Sequence, residues 1–497
     1  MPHIVYFFLA LSLLVLGYIV YGKIVEKIFR IDARRVTPAL SMADGVDYVP
    51  LSTPKVFLIH FLNIAGIGPV FGPILGALYG PKALLWIVLG SIFAGGVHDY
   101  LFAMITTRYC GRSLPEVVEI IFGKVFKVLV CVFTLLLLVL VGVVFVNTPA
   151  ALLAKMTEGS LMNVKVWILV IFLYYVCATV LPINKFISWI YPLFGLLVLV
   201  MALGVMGGML SGDYNFYQWR VGEEADFLSV FFSDQHPRNL PAWPLMCVTI
   251  ACGAVSGFHA TQSPLMARCI TNEKAGRPVF YGAMIAEGAI ALIWATAGMT
   301  LYESPVALAA VGNPGLVVDQ VCRMLLGPMG GLFAVAGVVM LPITSGDTAF
   351  RAARLIIADA FKVPQKFIES RLAISIPLFI VGGILTQVDF HVLWRYFAWS
   401  NQTLAMLTLW VSAAYIARSS RLHWIATLPA TYMTAVVTSY LCVAPEGFQM
   451  AYPFAVIMGC VAAALALVFF LFKLPAFRRD IPLEIVVSSQ QNQDELL

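Results

Sequence analysis

Five ionisable side chains lie inside segments of this 497-residue chain that are otherwise apolar and long enough to cross a membrane. They are His98, Asp99, His259, Glu287 and Asp347. A charge inside a bilayer costs at least about 2.5 kcal/mol, so each is a functional hypothesis by default. Imidazoles exchange protons near neutral pH, and buried carboxyl groups can do so too. These residues predict a proton-coupling pathway. The alternative for each is a structural hydrogen bond, and Asp347 has Arg351 or Arg354 as possible ion-pair partners.

Two glycine- and proline-containing stretches interrupt apolar segments, at 66–73 and at 256–264. Proline cannot donate to the helical hydrogen-bond ladder, and glycine weakens a helix by about 1 kcal/mol relative to alanine. Irregular backbone at membrane depth is tolerated only where it is buried in protein or lines a watery cavity. Two such interruptions in corresponding positions of two halves indicate the substrate site of an inverted-repeat transporter. The alternative is a pair of proline kinks without a ligand.

A carboxylate is the ligand that such breaks suit. The start of a half-helix presents unpaired backbone N–H groups and the positive end of its dipole. An arginine fork would hold a carboxylate, and amide side chains would meet a keto or peptide oxygen. The alternative for Arg395 is an interfacial anchor whose head points outward. The predicted substrate-binding residues are Gly66, Gly68, Pro69, Ser256, Gly257, His259, Gln262, Ser263, Arg395, Trp399, Asn401 and Gln402.

The composition places these residues in a polytopic membrane protein. Hydrophobic residues make up 61% of the chain and charged residues 11%, and the mean hydropathy is +0.91. These values exclude an ordinary soluble globular protein and predict the lipid bilayer as a partner. The net charge of +5 is spread over short loops, so we expect no nucleic-acid partner. The nine cysteines contain no CxxC pair and are expected to pack as small apolar residues.

Apolar runs of spanning length predict about thirteen transmembrane helices. Most of the 31 lysines and arginines fall in alternate loops, which places the amino terminus outside and the carboxyl terminus in the cytoplasm. Five spans separate the two breaks, so two groups of five have opposite topology, a 5+5 inverted repeat. The predicted units are 1–50 (first helix and inner loop), 51–210 (first repeat), 211–242 (outer loop), 243–416 (second repeat), 417–472 (two further helices) and 473–497 (a disordered cytoplasmic tail).

Several motifs resemble those of the carbon starvation protein A family. They are Thr37-Pro38-Ala39, Asp44 to Pro50, Gly66 to Pro73, Gly111-Arg112-Ser113, Ser256 to Ser263, Pro342 to Arg351 and Arg395 to Gln402. The resemblance implies a secondary transporter of the amino acid, polyamine and organocation superfamily, whose members are linked to peptide uptake and to proton-coupled pyruvate uptake. The chain departs from the long family members at Leu58-Ile59-His60-Phe61, where those carry a Gly-His-His-Phe pattern.

The stretch Asn63 to Gly68 is similar to the unwound first core helix of sodium-coupled transporters that share the leucine-transporter fold. In that fold, a hydroxyl pair on the eighth core helix completes a sodium site. Here Thr344 and Ser345 occupy the corresponding helix, and the carbonyl groups of Leu62 and Ala65 would complete the oxygen ligands of a hard cation. Alternatively, these hydroxyls bond the backbone of their own helix.

Together these features predict an inner-membrane symporter with no cofactor, driven by H⁺ or Na⁺. The expected substrate is a small carboxylate nutrient taken up during carbon starvation, with pyruvate first and short peptides or amino acids second. A sodium-coupled amino acid or peptide transporter and a channel remain the alternatives. No metalloprotease HExxH motif is present, and we expect no enzyme activity. The sequence gives no prediction of the oligomeric state.

Overall fold

The computed structural model describes residues 4–45, 47–157, 161–180, 184–212, 214, 231, 233–365, 367–482 and 484. Regular structure in this part of the chain is helical apart from one isolated bridge between Leu51 and Ile270. The predicted all-α class is therefore confirmed. The predicted outer loop 211–242 lies mostly outside the described residues, as does the tail beyond Glu484. The last helix continues to Asp480, so the start of the segment 473–497 is helical.

The helices are numbered along the chain. The first part contains α1 Ile4–Leu16, α2 Gly22–Phe29, α3 Pro38–Ser41, α4 Thr53–Ile64, α5 Gly68–Gly76, α6 Lys82–Leu89, α7 Gly96–Arg108, α8 Leu114–Phe122, α9 Lys124–Met156, α10 Val164–Val180 and α11 Asn184–Ser211. The second part contains α12 Ala242–Thr249, α13 His259–Ala267, α14 Gly282–Leu301, α15 Pro305–Ala310, α16 Pro314–Val335, α17 Leu341–Phe361, α18 Ile368–Leu385, α19 Phe390–Ser419, α20 Trp424–Val443 and α21 Tyr452–Asp480. Turns of π-helix join α1 to α2, α6 to α7 and α16 to α17, and one precedes α14.

Eight helices within the described residues are long and apolar enough to cross a membrane. A ninth span is obtained if α4 and the bent segment 68–79 are taken together. Two shorter apolar helices, Val164–Val180 and Gly195–Ser211, lie between them in sequence. The chain is thus a multi-pass membrane protein, while the count of thirteen spans stays a prediction.

The helices pack in two groups, and α19 contacts both of them. In one group, α5 packs against α14, and α7 packs against α13. In the other group, α9 packs against α10 and α17, and α10 packs against α18. The long helix α19 contacts α7 as well as α9. The two breaks predicted from the sequence both belong to the first group.

A buried ion-pair cluster ties the chain together at the ends of α2 and α7. The side chain of Glu273 is fully buried and pairs with Arg108 at 3.0 Å and with Arg35 at 3.1 Å. The backbone N–H of Asp32 donates to the same carboxylate at 2.7 Å. The Arg108 guanidinium also lies 4.1 Å from the ring centre of Phe29. This cluster fixes the connection after α2 against the segment that precedes α14.

Candidate functional site

The first break separates α4 from α5. Helix α4 ends at Ile64, α5 begins at Gly68, and the two axes differ by 49°. Pro69 lies in the first turn of α5, where its missing N–H group removes no helical hydrogen bond. The predicted interruption is therefore present, and it occupies the residues immediately before Gly68.

The second break is longer and begins earlier than the sequence suggested. Helix α12 ends at Thr249, and α13 begins only at His259. Gly253 has φ +87°, a left-handed conformation that glycine adopts without steric cost. The predicted stretch began at Ser256, whereas the break begins at Ile250, and the helix resumes before Pro264.

Side chains of α19 bond the second break and the last turn of α12. Asn401 Oδ1 accepts from Phe258 N at 2.7 Å, and Asn401 Nδ2 donates to Ser256 Oγ at 3.1 Å. Gln402 Nε2 donates to Cys247 O at 3.0 Å. Both amides come from α19, so the structure brings Asn401 and Gln402 to the break. Buried backbone groups need such partners in a membrane.

Two supporting residues were not identified from the sequence. Trp86 Nε1 donates to Ile250 O at 3.1 Å, and Ser91 Oγ donates to Gly253 O at 2.9 Å. They lie on α6 and on the π-helical turn that follows it. The only local signal for them was a polar residue and a tryptophan within an apolar segment.

The two breaks lie against each other. A side chain on Gly68 would overlap Cys252, and a Cβ on Gly253 would lie 3.7 Å from Pro69 Cα. A side chain on Gly257 would collide with the backbone of α19 at Asn401 and Ala405. Glycine is thus required at 257 because the backbone of α19 approaches it closely, whereas at 68 and 253 a side chain would overlap those of Cys252 and Ala291. The predicted residues of both breaks form one buried region.

Four of the five predicted proton-coupling residues form a continuous chain. His98 Nδ1 lies 2.7 Å from Asp99 Oδ1, and His259 Nδ1 lies 2.7 Å from Asp99 Oδ2. His259 Nε2 lies 3.3 Å from Glu287 Oε2. All four side chains are fully buried. We name this series Glu287, His259, Asp99 and His98 the carboxylate–imidazole chain.

The carboxylate–imidazole chain consists of groups that can exchange protons. The His259 ring faces one carboxylate through each nitrogen, so it can receive a proton on one side and release one on the other. Two carboxylates around one imidazolium leave a net negative charge, which an additional proton neutralises. His259 is the first residue of α13, so the carboxylate–imidazole chain adjoins the second break. The exchangeable groups and the unwound backbone of the second break are therefore near neighbours.

The remaining predicted site residues lie elsewhere or bond locally. Asp347 pairs with Arg351, one turn further along α17, at 2.9 Å. Thr344 Oγ1 donates to Met340 O of its own helix at 3.2 Å. Phe145 of α9 lies between Gly66 and Gly346 and so stands between the first break and α17. Asp347 thus forms an ion pair with Arg351, and Thr344 bonds the backbone of its own helix. Both contacts are the structural alternatives that the sequence left open.

Arg395 and Trp399 face the carboxyl-terminal helices. Arg395 pairs with Glu446, and Trp399 Nε1 donates to Val437 O at 3.1 Å. Within α13, Ser263 Oγ donates to His259 O at 2.9 Å, and Gln262 Nε2 donates to Thr261 Oγ1 at 3.0 Å. Of the predicted substrate residues on α19, the structure therefore places two at the break and two beside α20.

The amide of Asn401 should matter to stability because it holds the break. Asn401→Ala leaves Phe258 N–H and Ser256 without this partner, which we expect to cost about 1–3 kcal/mol. The matched control is Thr408→Ala, since the hydroxyl of Thr408 bonds Leu404 O within the same helix. Thermal unfolding in detergent should show a clearly lower midpoint for Asn401→Ala than for the control. Equal midpoints would contradict this role.

Comparison with solved structures identifies the fold. The chain resembles Mhp1, a nucleobase-cation-symport-1 family transporter, with a TM-score of 0.52 and 13% identity, covering 91% of this chain and 99% of Mhp1. It also resembles the Eremococcus coleocola manganese transporter, with a TM-score of 0.52 and 14% identity, covering 89% and 99% of the two chains. These identities are low, so the likeness concerns the fold alone. The architecture is that of the leucine-transporter-like proteins.

Sequence relatives identify the family. A Haemophilus influenzae uncharacterized membrane protein is 44% identical over 360 residues, 64% of this chain and 97% of its own length. The Campylobacter jejuni peptide transporter CstA is 24% identical over 563 residues, 87% of this chain and 78% of its own. The Escherichia coli pyruvate/proton symporter BtsT is 27% identical over 353 residues, 57% of this chain and 47% of its own.

The Campylobacter jejuni and Escherichia coli relatives are named as transporters. Their names agree with the prediction of a transport protein and not an enzyme. The family profile described as carbon starvation protein CstA matches residues 3–210 and 156–323. Those two ranges overlap and together cover more than half of the chain. The chain is therefore a multi-pass membrane transporter that belongs to the carbon starvation protein CstA family.

Proposed function

We propose that this chain is a proton-coupled symporter that imports pyruvate across the inner membrane, with short peptides or amino acids as the second class of substrate. The observation that carries the proposal is the fully buried carboxylate–imidazole chain next to the second break. A channel would not require titratable groups at that place. Relatives support both substrate classes, since BtsT is named a pyruvate/proton symporter and the Campylobacter jejuni protein a peptide transporter.

In this proposal the substrate lies where the two breaks meet. Its carboxylate faces backbone N–H groups at the start of a half-helix, and a polar side chain of the second break meets its keto oxygen. The proton is held on Glu287 or His259 while substrate is bound. Its positive charge offsets the charge of the substrate, so the loaded site is cheaper to carry through the membrane than either charge alone.

The proposed topology has thirteen spans with the amino terminus outside. Ten of these spans form the 5+5 inverted repeat, with one helix before it and two after it. Access alternates when the group that contains the breaks rocks against the group built on α9 and α17. The close packing within each group supports a movement of this kind, because each group has its own interhelical contacts.

Proton coupling is separable from sodium coupling by imposing one gradient at a time. Proteoliposomes of the purified protein should accumulate labelled pyruvate when a pH gradient is imposed, and should not do so with a sodium gradient alone. Unlabelled di-alanine should compete poorly. Accumulation driven only by sodium would contradict the proposal and would direct mutagenesis to Thr344 and Ser345. Strong competition by di-alanine would move the substrate to peptides.

A further inference from the structure

A cavity separate from the carboxylate–imidazole chain opens beside the two breaks. Its volume is about 130 Å³, room for roughly four water molecules at the ~30 Å³ that each occupies in the liquid. Ile74 of α5 and Thr249 at the end of α12 form part of its lining. One half of each broken helix therefore borders the cavity. In the proposed topology this half faces the outside, and we name the cavity the outer vestibule.

The polar lining of the outer vestibule is basic. Arg238, Arg395, His236 and His391 line it, together with Asn313 and apolar side chains, and its lining contains no aspartate or glutamate among the described residues. Burial lowers the pKa of His236 to about 4, and Arg238 contributes to the shift. That imidazole is therefore neutral at pH 7. The fixed positive charge of the vestibule comes from its two arginines.

The two arginines differ in the partners they have. Arg395 pairs with Glu446, so its charge is largely compensated. Arg238 is exposed and forms no ion pair with a carboxylate in the part of the chain that the structure describes. Asp389 lies immediately before α19, the helix that carries His391 and Arg395. Its carboxylate accepts hydrogen bonds from His391 N and Val392 N. Arg238 is thus the group that remains available to an incoming anion.

We propose that the outer vestibule is a binding site for small organic monocarboxylate anions, held by Arg238 before they reach the breaks. This inference rests on the proposed function and adds a second, outer site to it. The guanidinium fork matches a carboxylate with two parallel hydrogen bonds. A basic, partly enclosed cavity also raises the local concentration of anions. The small volume favours an anion of a few heavy atoms over a peptide.

The test compares Arg238→Gln with Lys165→Gln, which removes a charge from an exposed residue that does not line the cavity. At low ionic strength, Arg238→Gln should raise the KM for labelled pyruvate about tenfold, which corresponds to about 1.4 kcal/mol. Vmax should be unchanged, and Arg238→Lys should restore part of the loss. Added salt should raise the KM of the wild type and of Lys165→Gln. The KM of Arg238→Gln should rise much less, because this variant lacks the charge that salt screens.

An unchanged KM in Arg238→Gln, or an equal increase in Lys165→Gln, would overturn the outer site while leaving symport intact. If the wild type transports no pyruvate, the proposed function fails, and the site is then tested by equilibrium dialysis of labelled pyruvate. Binding by the wild type that Arg238→Gln lacks and Lys165→Gln retains would uphold the site. Absence of binding, or binding equal in all three proteins, would overturn it.

Discussion

Replacing His259 by alanine is expected to abolish proton-driven accumulation of pyruvate in proteoliposomes while the protein stays folded. His259 joins Asp99, at 2.7 Å, to Glu287, at 3.3 Å. Without the imidazole the two carboxylates have no group between them to pass a proton. We expect internal pyruvate to reach the external concentration and not exceed it. Glu287→Gln should have the same effect, because the amide keeps the shape but does not take up a proton.

The control for this prediction is His423→Ala. His423 is also a buried histidine, but it lies immediately before α20, bonds Thr427 of that helix and lies outside the carboxylate–imidazole chain. This variant should accumulate pyruvate as the wild type does. Glu287→Gln should also retain counterflow exchange of pyruvate, which requires no net movement of protons. Accumulation at wild-type levels by both His259→Ala and Glu287→Gln would show that the proton assignment is wrong.

A large loss of stability is expected from Glu273→Ala. Glu273 is fully buried, and its carboxylate accepts hydrogen bonds from Arg108 Nε at 3.0 Å and from Arg108 Nη2 at 3.1 Å. Its removal leaves the buried Arg108 without its carboxylate partner. Breaking a buried pair in this way typically costs about 3–5 kcal/mol. The midpoint of thermal unfolding in detergent should therefore fall by many degrees.

Glu119→Ala provides the comparison for this stability effect. Glu119 pairs with Lys127, and both side chains are partly exposed, so water can replace the interaction when it is removed. The midpoint of Glu119→Ala should stay close to that of the wild type. A midpoint for Glu273→Ala as high as that of Glu119→Ala would refute the structural role of the Arg108 cluster.

The breaks were predictable because their cause is local. Gly66 lies in the first break and Pro69 in the first turn of the helix that follows it, immediately after Gly68, whereas Pro73 lies inside α5 without interrupting it. The second break was located less well. Its start at Ile250 depends on Gly253 and on hydrogen bonds from Trp86 and Ser91. Those partners come from a different helix, which no reading of the local residues reveals.

Residue types suggested the proton-coupling groups, but only the fold selected among them. His259 and Glu287 lie on different helices, and Asp99 is far from both in sequence, so their contacts require tertiary packing. Asp347 looked equivalent by residue type, yet it lies on α17 and pairs with Arg351. The Glu273 cluster was missed because a charged residue in a short polar segment looks like an ordinary solvated loop.

In the proposed mechanism pyruvate and a proton cross together, and proton movement driven by pyruvate alone would show this directly. Proteoliposomes that contain a pH-sensitive dye receive external pyruvate without any imposed ion gradient. We predict rapid internal acidification beyond that of protein-free liposomes, which is absent with Glu287→Gln. Uptake of labelled pyruvate by the wild type without this additional acidification would contradict this mechanism.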